Sequence, residues 1–270
     1  MNDMQYAIET DRLYKKFSPT KSPSLKDVFN LFEKRDNFVV ACNGVDLKVR
    51  EGELFGLVGP NGAGKTTLIK ILSTVILSDS GIAKVNGFDV VKQEDRVKRS
   101  IGLVTSEARS FYVRLSGREN LRFFANLYDL FDKDAEQKIE ELSELLEIRN
   151  KLDIMFQEYS SGIKQRFALA RGLLNDAPIL LVDEPTKSLD PTSAKTLRDF
   201  IRKKLVDEKK KTIVFTSHSL NEIEKLADTI AIMDKGRIRS SGTIDDLRRM
   251  MSRPNASIEE IFDYYTKEKL

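Results

Sequence analysis

The chain of 270 residues is long enough for one large domain or two small ones with a buried core. Its 32% of charged and 40% of hydrophobic residues are ordinary for a globular protein, and the net charge of +3 is too small to predict nucleic-acid binding. The single cysteine, Cys42, excludes a disulfide framework and a cysteine-based metal cluster. The first residues lack the pattern of a signal peptide, and no apolar run reaches the roughly 18 residues that span a bilayer.

The N-terminal part is predicted to hold two strand-like segments separated by a different one. Residues Tyr6–Phe17 alternate loosely, which predicts an edge strand, and Phe38–Val49 is strand-like but interrupted by a turn at Asn43-Gly44. Between them, residues 18–36 begin as a Ser/Pro loop and continue as a short amphipathic helix. The apolar residues of that helix recur at helical spacing: Leu25, Val28, Phe29 and Phe32.

A glycine-rich stretch follows, and the rest of the chain is organised around it. It fits the phosphate-binding pattern G-x-x-x-x-G-K-[ST]. Glycines let backbone N–H groups wrap an anion, Lys65 can reach terminal phosphates, and the Thr66 hydroxyl can ligate Mg²⁺. The apolar strand Leu54–Val58 before the stretch and the helical spacing after it favour phosphate binding over a chance turn. The predicted nucleotide-binding residues are Gly59, Pro60, Asn61, Gly62, Ala63, Gly64, Lys65, Thr66 and Thr67.

The middle of the chain changes from strands to helices. Gly81–Val91 is typical of a hairpin with Asn86-Gly87 as its turn, and Ile101–Val104 of a short strand. From Phe111 to Arg149 the apolar residues recur at helical spacing, after a capping-box pattern at Ser116–Glu119. The simplest account is a helical subdomain inserted into an α/β core.

Strand and helix patterns alternate again after this block. The apolar runs Ile179–Val182, Thr212–Thr216 and Ile230–Met233 suit parallel strands that are buried on both faces. Residues 243–270 are polar and mostly helical in pattern. The predicted fold class is therefore α/β, with a mostly parallel sheet.

Three polar side chains follow these runs, at the edge where an open α/β sheet binds its ligand. Asp183 is placed to hold Mg²⁺, and Glu184 to orient or deprotonate an attacking water. The alternative for this pair is two acids at a helix start. His218, the only histidine, ends the second run, and its place beside the predicted phosphate site favours a catalytic role over a structural one.

The stretch from Tyr159 to Arg166 opens another helix. Ser160 can cap it, which leaves free N–H groups beside Gly162. A helix start without an anion from its own chain is a candidate for binding a partner's phosphate. Taken alone, the pattern indicates only a well-capped helix.

The order of these parts resembles the nucleotide-binding subunits of ATP-binding cassette (ABC) transporters, over about Tyr6 to Gly242. By that resemblance the glycine-rich loop is the Walker A motif and Ile179–Glu184 the Walker B strand of a P-loop (RecA-like) core that also carries an antiparallel β-subdomain. By the same resemblance, residues 159–163 occupy the position of the L-S-G-G-Q signature. Phe17 stands for the aromatic that stacks on adenine, Asp190 belongs to the D-loop, and His218 is the switch histidine.

The chain departs from the family pattern at three motifs. Its signature has Ser161 for the first glycine and Ile163 for glutamine, while Ser160 and Gly162, the main γ-phosphate contacts of the family, are kept. Ser188 replaces a common D-loop glycine. The Q-loop glutamine is missing. Counting forward from Ile101 puts its place at Ser106, and counting back from Glu119-Asn120 puts it at Glu107.

The resemblance implies an ATPase with ATP and Mg²⁺ as cofactors, a separate transmembrane permease and a head-to-tail dimer of two copies. It implies an exporter at the cytoplasmic face of the membrane, and no nucleic-acid partner. One alternative is a soluble ABC ATPase of translation or DNA repair, but the two cassettes or long coiled coil usual there are absent. The other is a regulatory subunit that binds ATP without turnover, against which the intact Lys65, Asp183, Glu184 and His218 argue.

The resemblance divides the chain into a cassette at 1–242 and a C-terminal helical extension at 243–270. Within the cassette, residues 18–36 form an amphipathic insert and about 106–172 the helical subdomain. Exporters of polysaccharides and teichoic acids carry a similar insert. We expect it to dock on the permease at the membrane surface, which favours a lipid-linked glycan as cargo; the alternative is that its apolar stripe folds back on the cassette.

Overall fold

The computed structural model describes residues 6–18, 38–105, 111–187 and 189–267. In these ranges the chain forms two β-sheets with helices packed on them. Three sequence-based predictions lie outside the described residues: the helix at 25–32, the Q-loop positions Ser106 and Glu107, and the D-loop position Ser188.

The bounds of the elements are as follows. In the described ranges the strands are β1 Tyr6–Phe17, β2 Val39–Arg50, β3 Leu54–Val58, β4 Ser80–Val85, β5 Phe88–Asp89, β6 Ile101–Thr105, β7 Ile179–Asp183, β8 Thr212–Ser217, β9 Thr229–Asp234 and β10 Arg237–Gly242. The helices are α1 Lys65–Leu72, α2 Glu94–Ser100, α3 Gly117–Leu127, α4 Asp132–Leu145, α5 Ser161–Leu173, α6 Pro191–Phe200, α7 Leu220–Leu226, α8 Ile244–Met250 and α9 Ile258–Thr266. A π-helical segment, Ile201–Glu208, continues α6.

The larger sheet has six strands in the order β10-β9-β3-β8-β7-β6. All neighbours pair in parallel except β10 and β9, which are antiparallel. β3, β7 and β8 are wholly or almost wholly buried, because helices pack on one face of this sheet and α1 with the smaller sheet on the other, which leaves no strand face for polar residues. The carboxyl ends of these strands meet at one edge, where Val58 is the register partner of Ser217 and Asp183 that of Thr216.

The smaller sheet is antiparallel, with the order β2-β1-β4-β5, and it corrects two predictions. β1 is not an edge strand, because it pairs with β2 on one side and with β4 on the other. β2 is not interrupted by a turn: Gly44, at φ +69°, sits at a register shift opposite β1 and bulges within a continuous strand. The hairpin between β4 and β5 is confirmed, with Asn86 and Gly87 at positive φ as a two-residue turn requires.

Helices α3, α4 and α5 lie in the chain between β6 and β7. The predicted capping box of α3 is confirmed, since Ser116 accepts from the Glu119 N–H while the Glu119 carboxylate accepts from the Ser116 N–H. α5 packs closely on β6 through two glycines: a Cβ on Gly102 would lie 1.8 Å from the carbonyl oxygen of Gly172. Only glycine therefore permits this approach of helix to strand.

Two clusters of buried side chains form the core. One joins the helices to the large sheet through aromatic residues such as Phe156, Phe167 and Phe215. The other lies between the small sheet, α1 and the large sheet. In the described parts of the chain, no helix is both long and apolar enough to cross a membrane.

Candidate functional site

The glycine-rich loop connects β3 to α1 at the carboxyl edge of the large sheet. Two of its glycines are needed for packing as well as for an anion. A Cβ on Gly59 would lie 2.1 Å from the Met233 carbonyl oxygen, and one on Gly64 would lie 2.0 Å from the Ala41 carbonyl oxygen. Gly64 also has φ +107°, which a side chain would strain. The loop is thus pressed against the β2 and β9 backbones, and these contacts constrain its shape.

Helix α1 begins without a side-chain cap. Its N-cap is Gly64, which has no side chain to accept a hydrogen bond from the first turn. Serine, threonine or aspartate side chains cap α3, α5, α6, α7, α8 and α9, whereas α2 and α4, like α1, have no side-chain cap. The first N–H groups of α1 therefore lack an acceptor, and with the positive end of the helix dipole they fit a phosphate.

Lys65 is the first residue of α1 and is only 6% exposed. Its Nζ donates to two carbonyl oxygens of the loop, Gly59 O at 2.7 Å and Pro60 O at 3.1 Å. Burial lowers the pKa of Lys65, and the nearby carboxylates of Glu184 and Asp183 partly oppose that shift. The ammonium group is thus held across the loop, in the position from which it can meet a terminal phosphate.

A hydroxyl and a carboxylate face each other beside this lysine. Thr66 Oγ1 lies 3.1 Å from Asp183 Oδ2 and donates to that carboxylate, and Thr216 Oγ1 donates to Asp183 Oδ1. Mg²⁺ takes oxygen ligands and keeps several waters, so it is held by one or two protein oxygens together with substrate phosphates. The hydroxyl of Thr66 and the carboxylate of Asp183, beside a phosphate cradle, fit that requirement.

Glu184 follows Asp183 and is held at both carboxylate oxygens. His218 Nδ1 lies 3.2 Å from Oε1, and Lys187 Nζ lies 2.9 Å from Oε2. Burial of Glu184 would raise its pKa, but the ion pair with Lys187 and the contact with His218 outweigh burial and hold the pKa below the usual value. Glu184 is therefore a carboxylate at neutral pH, as an acceptor for a water proton must be.

The structure brings together five of the residues singled out in the sequence: Lys65, Thr66, Asp183, Glu184 and His218. Sequence reasoning missed two contacts of this group. Thr216 touches Asp183 from the neighbouring strand, which only the β7–β8 register reveals. Lys187 pairs with Glu184, for which its spacing of three residues in a proline-containing turn was an available signal.

Ser160 and Gly162 lie at a separate place, the start of α5. Ser160 Oγ caps the helix by accepting from the Ile163 N–H at 3.4 Å, as the sequence predicts. Both residues line a cavity of about 260 Å³ between α5 and α6. A Cβ on Gly162 would lie 3.6 Å from its nearest neighbour, Ser193 Oγ, which is an ordinary contact distance. The loop residues 59–67 and Glu184 do not line this cavity.

Two further predicted site residues have defined local roles. Asp190 is the N-cap of α6, where its carboxylate accepts from the Thr192 and Ser193 N–H groups. Phe17 ends β1 with 38% exposure, and Lys15 Nζ lies 5.4 Å from its ring centroid. Its ring is therefore open enough to stack on a flat ligand.

A phosphate cradle with its lysine follows β3 at the carboxyl edge of the parallel sheet. Two acids lie at the same edge, at the end of β7, which β8 separates from β3. Together these features define a P-loop nucleotide-binding protein. A family model described as "ABC transporter" matches residues 42–187. The chain belongs to the ABC transporter family, as one of its ATP-binding ATPase cassettes. Both the family and the fold class predicted from the sequence are confirmed.

Curated relatives share about a third of their residues with this chain. The ABC transporter ATP-binding protein NatA of Bacillus subtilis is 34% identical over 83% of this chain and 90% of the relative. The daunorubicin resistance ATP-binding protein DrrA3 of Streptomyces coeruleorubidus is 37% identical over 80% of this chain and 67% of the relative. The linearmycin resistance ATP-binding protein LnrL of B. subtilis is 33% identical over 76% of this chain and 65% of the relative.

Solved structures share the fold. An ATP-binding subunit of an ABC transporter superposes with a TM-score of 0.77 at 24% identity, over 97% of this chain and 100% of that one. The cassette MJ0796, solved as a dimer in a post-hydrolysis state bound to ADP and Pi, superposes with a TM-score of 0.72 at 20% identity, over 88% and 98%.

Proposed function

We propose that this protein is the ATP-hydrolysing subunit of an ABC exporter and that it powers a separate transmembrane permease. The observation that carries the proposal is the cluster at the carboxyl edge of the large sheet. There Lys65, Thr66 and Asp183 meet an uncapped helix start, and Glu184 stands beside them with both carboxylate oxygens held. A merely structural edge would not gather a buried lysine and two acids around a glycine-rich loop and an uncapped helix start.

In the proposed reaction Glu184 aligns a water with the γ-phosphate and accepts its proton as the oxygen attacks phosphorus. The bond to the oxygen that bridges the β- and γ-phosphates breaks, giving ADP and inorganic phosphate. Lys65 and the α1 N–H groups hold the phosphates, Phe17 stacks on adenine, and His218 holds the Glu184 carboxylate from one side. Thr66 and Asp183 would hold Mg²⁺, which would supply positive charge beside the phosphates.

We further propose that the start of α5 completes the site of a second copy in a head-to-tail dimer. Ser160 and Gly162 would bind the partner's γ-phosphate with a hydroxyl and backbone N–H groups. Their separation from the loop of their own chain supports this arrangement. The dimeric state of the similar cassette MJ0796 supports it as well. Asp190 and Ser193, at the start of α6, adjoin the same surface.

A second cavity supports a membrane partner. It has about 750 Å³ and lies between the β6 edge of the large sheet and the loop that joins α3 to α4. Leu103, Leu127 and Leu130 give it apolar walls, and Asp95 and Arg99 charged ones. Leu127 is 65% exposed and Tyr128 beside it is 36% exposed, and we propose that the permease covers this apolar edge of the cavity.

For the cargo, the drug-resistance names of several relatives support export of an amphipathic compound. The amphipathic insert at 18–36 is instead the argument for a lipid-linked glycan. Deleting Pro19–Arg35 should spare ATP binding by the isolated subunit and impair export by the assembled complex. Unfolding of the deletion variant, or unchanged export, would refute docking of the insert on the permease.

The domain division proposed for this function is a cassette at 1–242 and a helical extension at 243–270. The proposed location is the cytoplasmic face of the membrane, through the permease. A soluble ABC ATPase and a regulatory subunit without turnover are the alternatives.

Glu184→Gln tests the ATPase part of the proposal. The variant should lose about 10²- to 10⁴-fold in kcat while it still binds ATP, because only the acceptor for the water proton is removed. It should therefore accumulate as an ATP-bound dimer, which light scattering detects. The control is Glu224→Gln, an exposed carboxylate on α7. A wild-type chain without Mg²⁺-dependent phosphate release would instead favour the regulatory alternative.

Export is tested in the source organism. Disrupting the gene should cause the cargo to accumulate in the cell or raise sensitivity to an amphipathic drug. The wild-type gene should reverse the defect and Glu184→Gln should not. A defect in translation or DNA repair, with unchanged export, would favour the soluble ATPase.

A further inference from the structure

The side chain of Lys187 forms an ion pair with the carboxylate that is proposed to activate water. Lys187 Nζ lies 2.9 Å from Glu184 Oε2, and the lysine side chain is 55% exposed whereas that of Glu184 is 14% exposed. The other oxygen, Oε1, lies 3.2 Å from His218 Nδ1. Each carboxylate oxygen thus has its own cationic or hydrogen-bonding partner.

Hydrogen bonds to neighbouring elements hold the backbone of residues 184–187 in place. Glu184 has φ +51°, and its N–H donates to the carbonyl oxygen of Thr216 at 3.2 Å and to Thr216 Oγ1 at 3.0 Å. The Lys187 N–H donates to the Glu184 carbonyl oxygen at 3.2 Å, which closes a turn over the intervening residues. In that turn, Thr186 Oγ1 donates at 2.8 Å to Glu222, a buried glutamate of α7. Lys187 is therefore presented to Glu184 by a turn anchored to β8 and α7.

A carboxylate that aligns a water must be fixed in orientation as well as in position. A glutamate side chain has several rotatable bonds, and a misplacement of about 1 Å in a catalytic geometry can cost on the order of 10²-fold in rate. The contact with His218 holds one oxygen but leaves the carboxylate plane free to rotate about it. A second contact, at the other oxygen, removes that rotation.

We propose that Lys187 is a positioning residue for ATP hydrolysis, which fixes the plane of the Glu184 carboxylate so that it can align the attacking water. This inference rests on the ATPase function proposed above. Lys187 acts through Glu184, and the nucleotide is bound by Lys65 and the loop.

The rival role for a lysine at this place is direct binding of phosphate. The two roles separate in steady-state kinetics. Loss of a positioning contact lowers kcat and leaves the KM for ATP unchanged, because nucleotide contacts are intact. Loss of a phosphate contact raises KM.

The experiment compares Lys187→Met, Lys187→Arg and Lys204→Met in the full chain by phosphate release over a range of ATP concentrations. Lys187→Met should lower kcat by about tenfold with KM within about twofold, since a modest misplacement costs less than a full ångström does. Lys187→Arg keeps the charge and should restore most of the rate. Lys204→Met is the control, because it removes an exposed lysine–glutamate pair, Lys204–Glu208, on the π-helical segment. Thermal unfolding confirms that each variant is folded.

A double-mutant cycle gives the decisive comparison. If Lys187 acts through Glu184, adding Lys187→Met to Glu184→Gln should not reduce the residual rate further. Unchanged kcat in Lys187→Met, a raised KM with unchanged kcat, or an additional tenfold loss in the double variant would each overturn the inference. Suppose that the wild type hydrolyses ATP, that Glu184→Gln does not, and that Lys187→Met leaves kcat unchanged. Only the positioning role of Lys187 would then be wrong. Absence of hydrolysis by the wild type would refute the ATPase function with it.

Discussion

The chain builds the two parts of its proposed nucleotide site to very different extents. Around Glu184 and Lys65, side chains from three strand ends are joined by direct contacts, and a buried ammonium lies across the phosphate loop. At the start of α5, Ser160 uses its oxygen as the helix cap, and the charged residues lining the adjacent cavity, Glu147 and Arg166, pair with each other. The first part is assembled within one chain, whereas the second offers only a surface.

The two parts should therefore contribute differently to the free energies of ATP binding and of dimer closure. A site with its charges in place binds nucleotide in the single subunit. A helix start with a hydroxyl and free N–H groups adds little until a phosphate is brought to it. Dimerisation is therefore the step that we expect the second part to control.

The largest difference between the two regions should appear in the stability of two glycine variants. Gly64→Ala should lower the free energy of unfolding by about 1–3 kcal/mol or more, because its Cβ would overlap the Ala41 carbonyl oxygen at positive φ. Gly162→Ala should leave stability nearly unchanged, since its Cβ would find Ser193 at an ordinary 3.6 Å. Chemical denaturation measures both. Equal destabilisation would show that the start of α5 is packed as tightly as the phosphate loop.

Nucleotide affinity separates the same two regions by a comparable free energy. Lys65→Ala removes a charged hydrogen bond to phosphate and should weaken ATP binding to the single subunit by about 1.5–3 kcal/mol. Ser160→Arg should leave that affinity intact and should block both dimer closure and turnover. Titration of a fluorescent ATP analogue, with light scattering for the dimer, distinguishes them. An equal loss of monomer affinity would contradict the arrangement in which Ser160 serves the partner.

The Mg²⁺ dependence of ATP hydrolysis should be set by the region around Asp183 and not by the start of α5. Asp183→Asn removes a carboxylate charge from the proposed Mg²⁺ site and should raise the half-saturating Mg²⁺ concentration by roughly tenfold, because ligand charge sets the affinity for hard cations. The Mg²⁺ requirement of Ser160→Ala should match that of the wild type. Phosphate release measured against Mg²⁺ concentration gives both values. A shift in the serine variant would mean that the metal site extends to α5.

The smallest effect is expected at the altered Q-loop. Glu107→Ala should reduce Mg²⁺-dependent turnover more than Ser106→Ala, by a few-fold at most, since a carboxylate keeps the acceptor oxygen that glutamine would offer. Both positions lie outside the described residues, so this ranking rests on the sequence. The reverse ranking of kcat values would assign the position to Ser106.

The sequence predicted the parts of the site that depend on local pattern. The loop at 59–67, the buried strands β3, β7 and β8, and the cap at Ser160 follow from neighbouring residues. Because parallel strands end at one edge, Asp183, Glu184 and His218 could also be placed beside the loop. These elements were predictable because each depends on a short stretch of neighbouring residues.

Features that depend on distant pairing were not predicted. β1 has an ordinary strand pattern, and only its pairing with both β2 and β4 makes it internal. The Asn43-Gly44 pair has turn chemistry, but its neighbours continue to pair with β1, which turns the irregularity into a bulge. Thr216 reaches Asp183 through a register between strands more than 30 residues apart, which no local pattern encodes.

The contact of α5 with β6 bears on how a saturation mutagenesis experiment on this chain should be interpreted. Gly102 and Gly172 bring a helix and a strand into backbone contact, and a Cβ on either would overlap neighbouring atoms. Most substitutions there should be as poorly tolerated as those at Lys65 or Glu184, although these glycines bind no nucleotide. Intolerance measured by cell growth would place them among the functional residues. Protein abundance, measured alongside growth, would separate the two groups, because changes at Gly102 lower the amount of protein and Glu184→Gln does not.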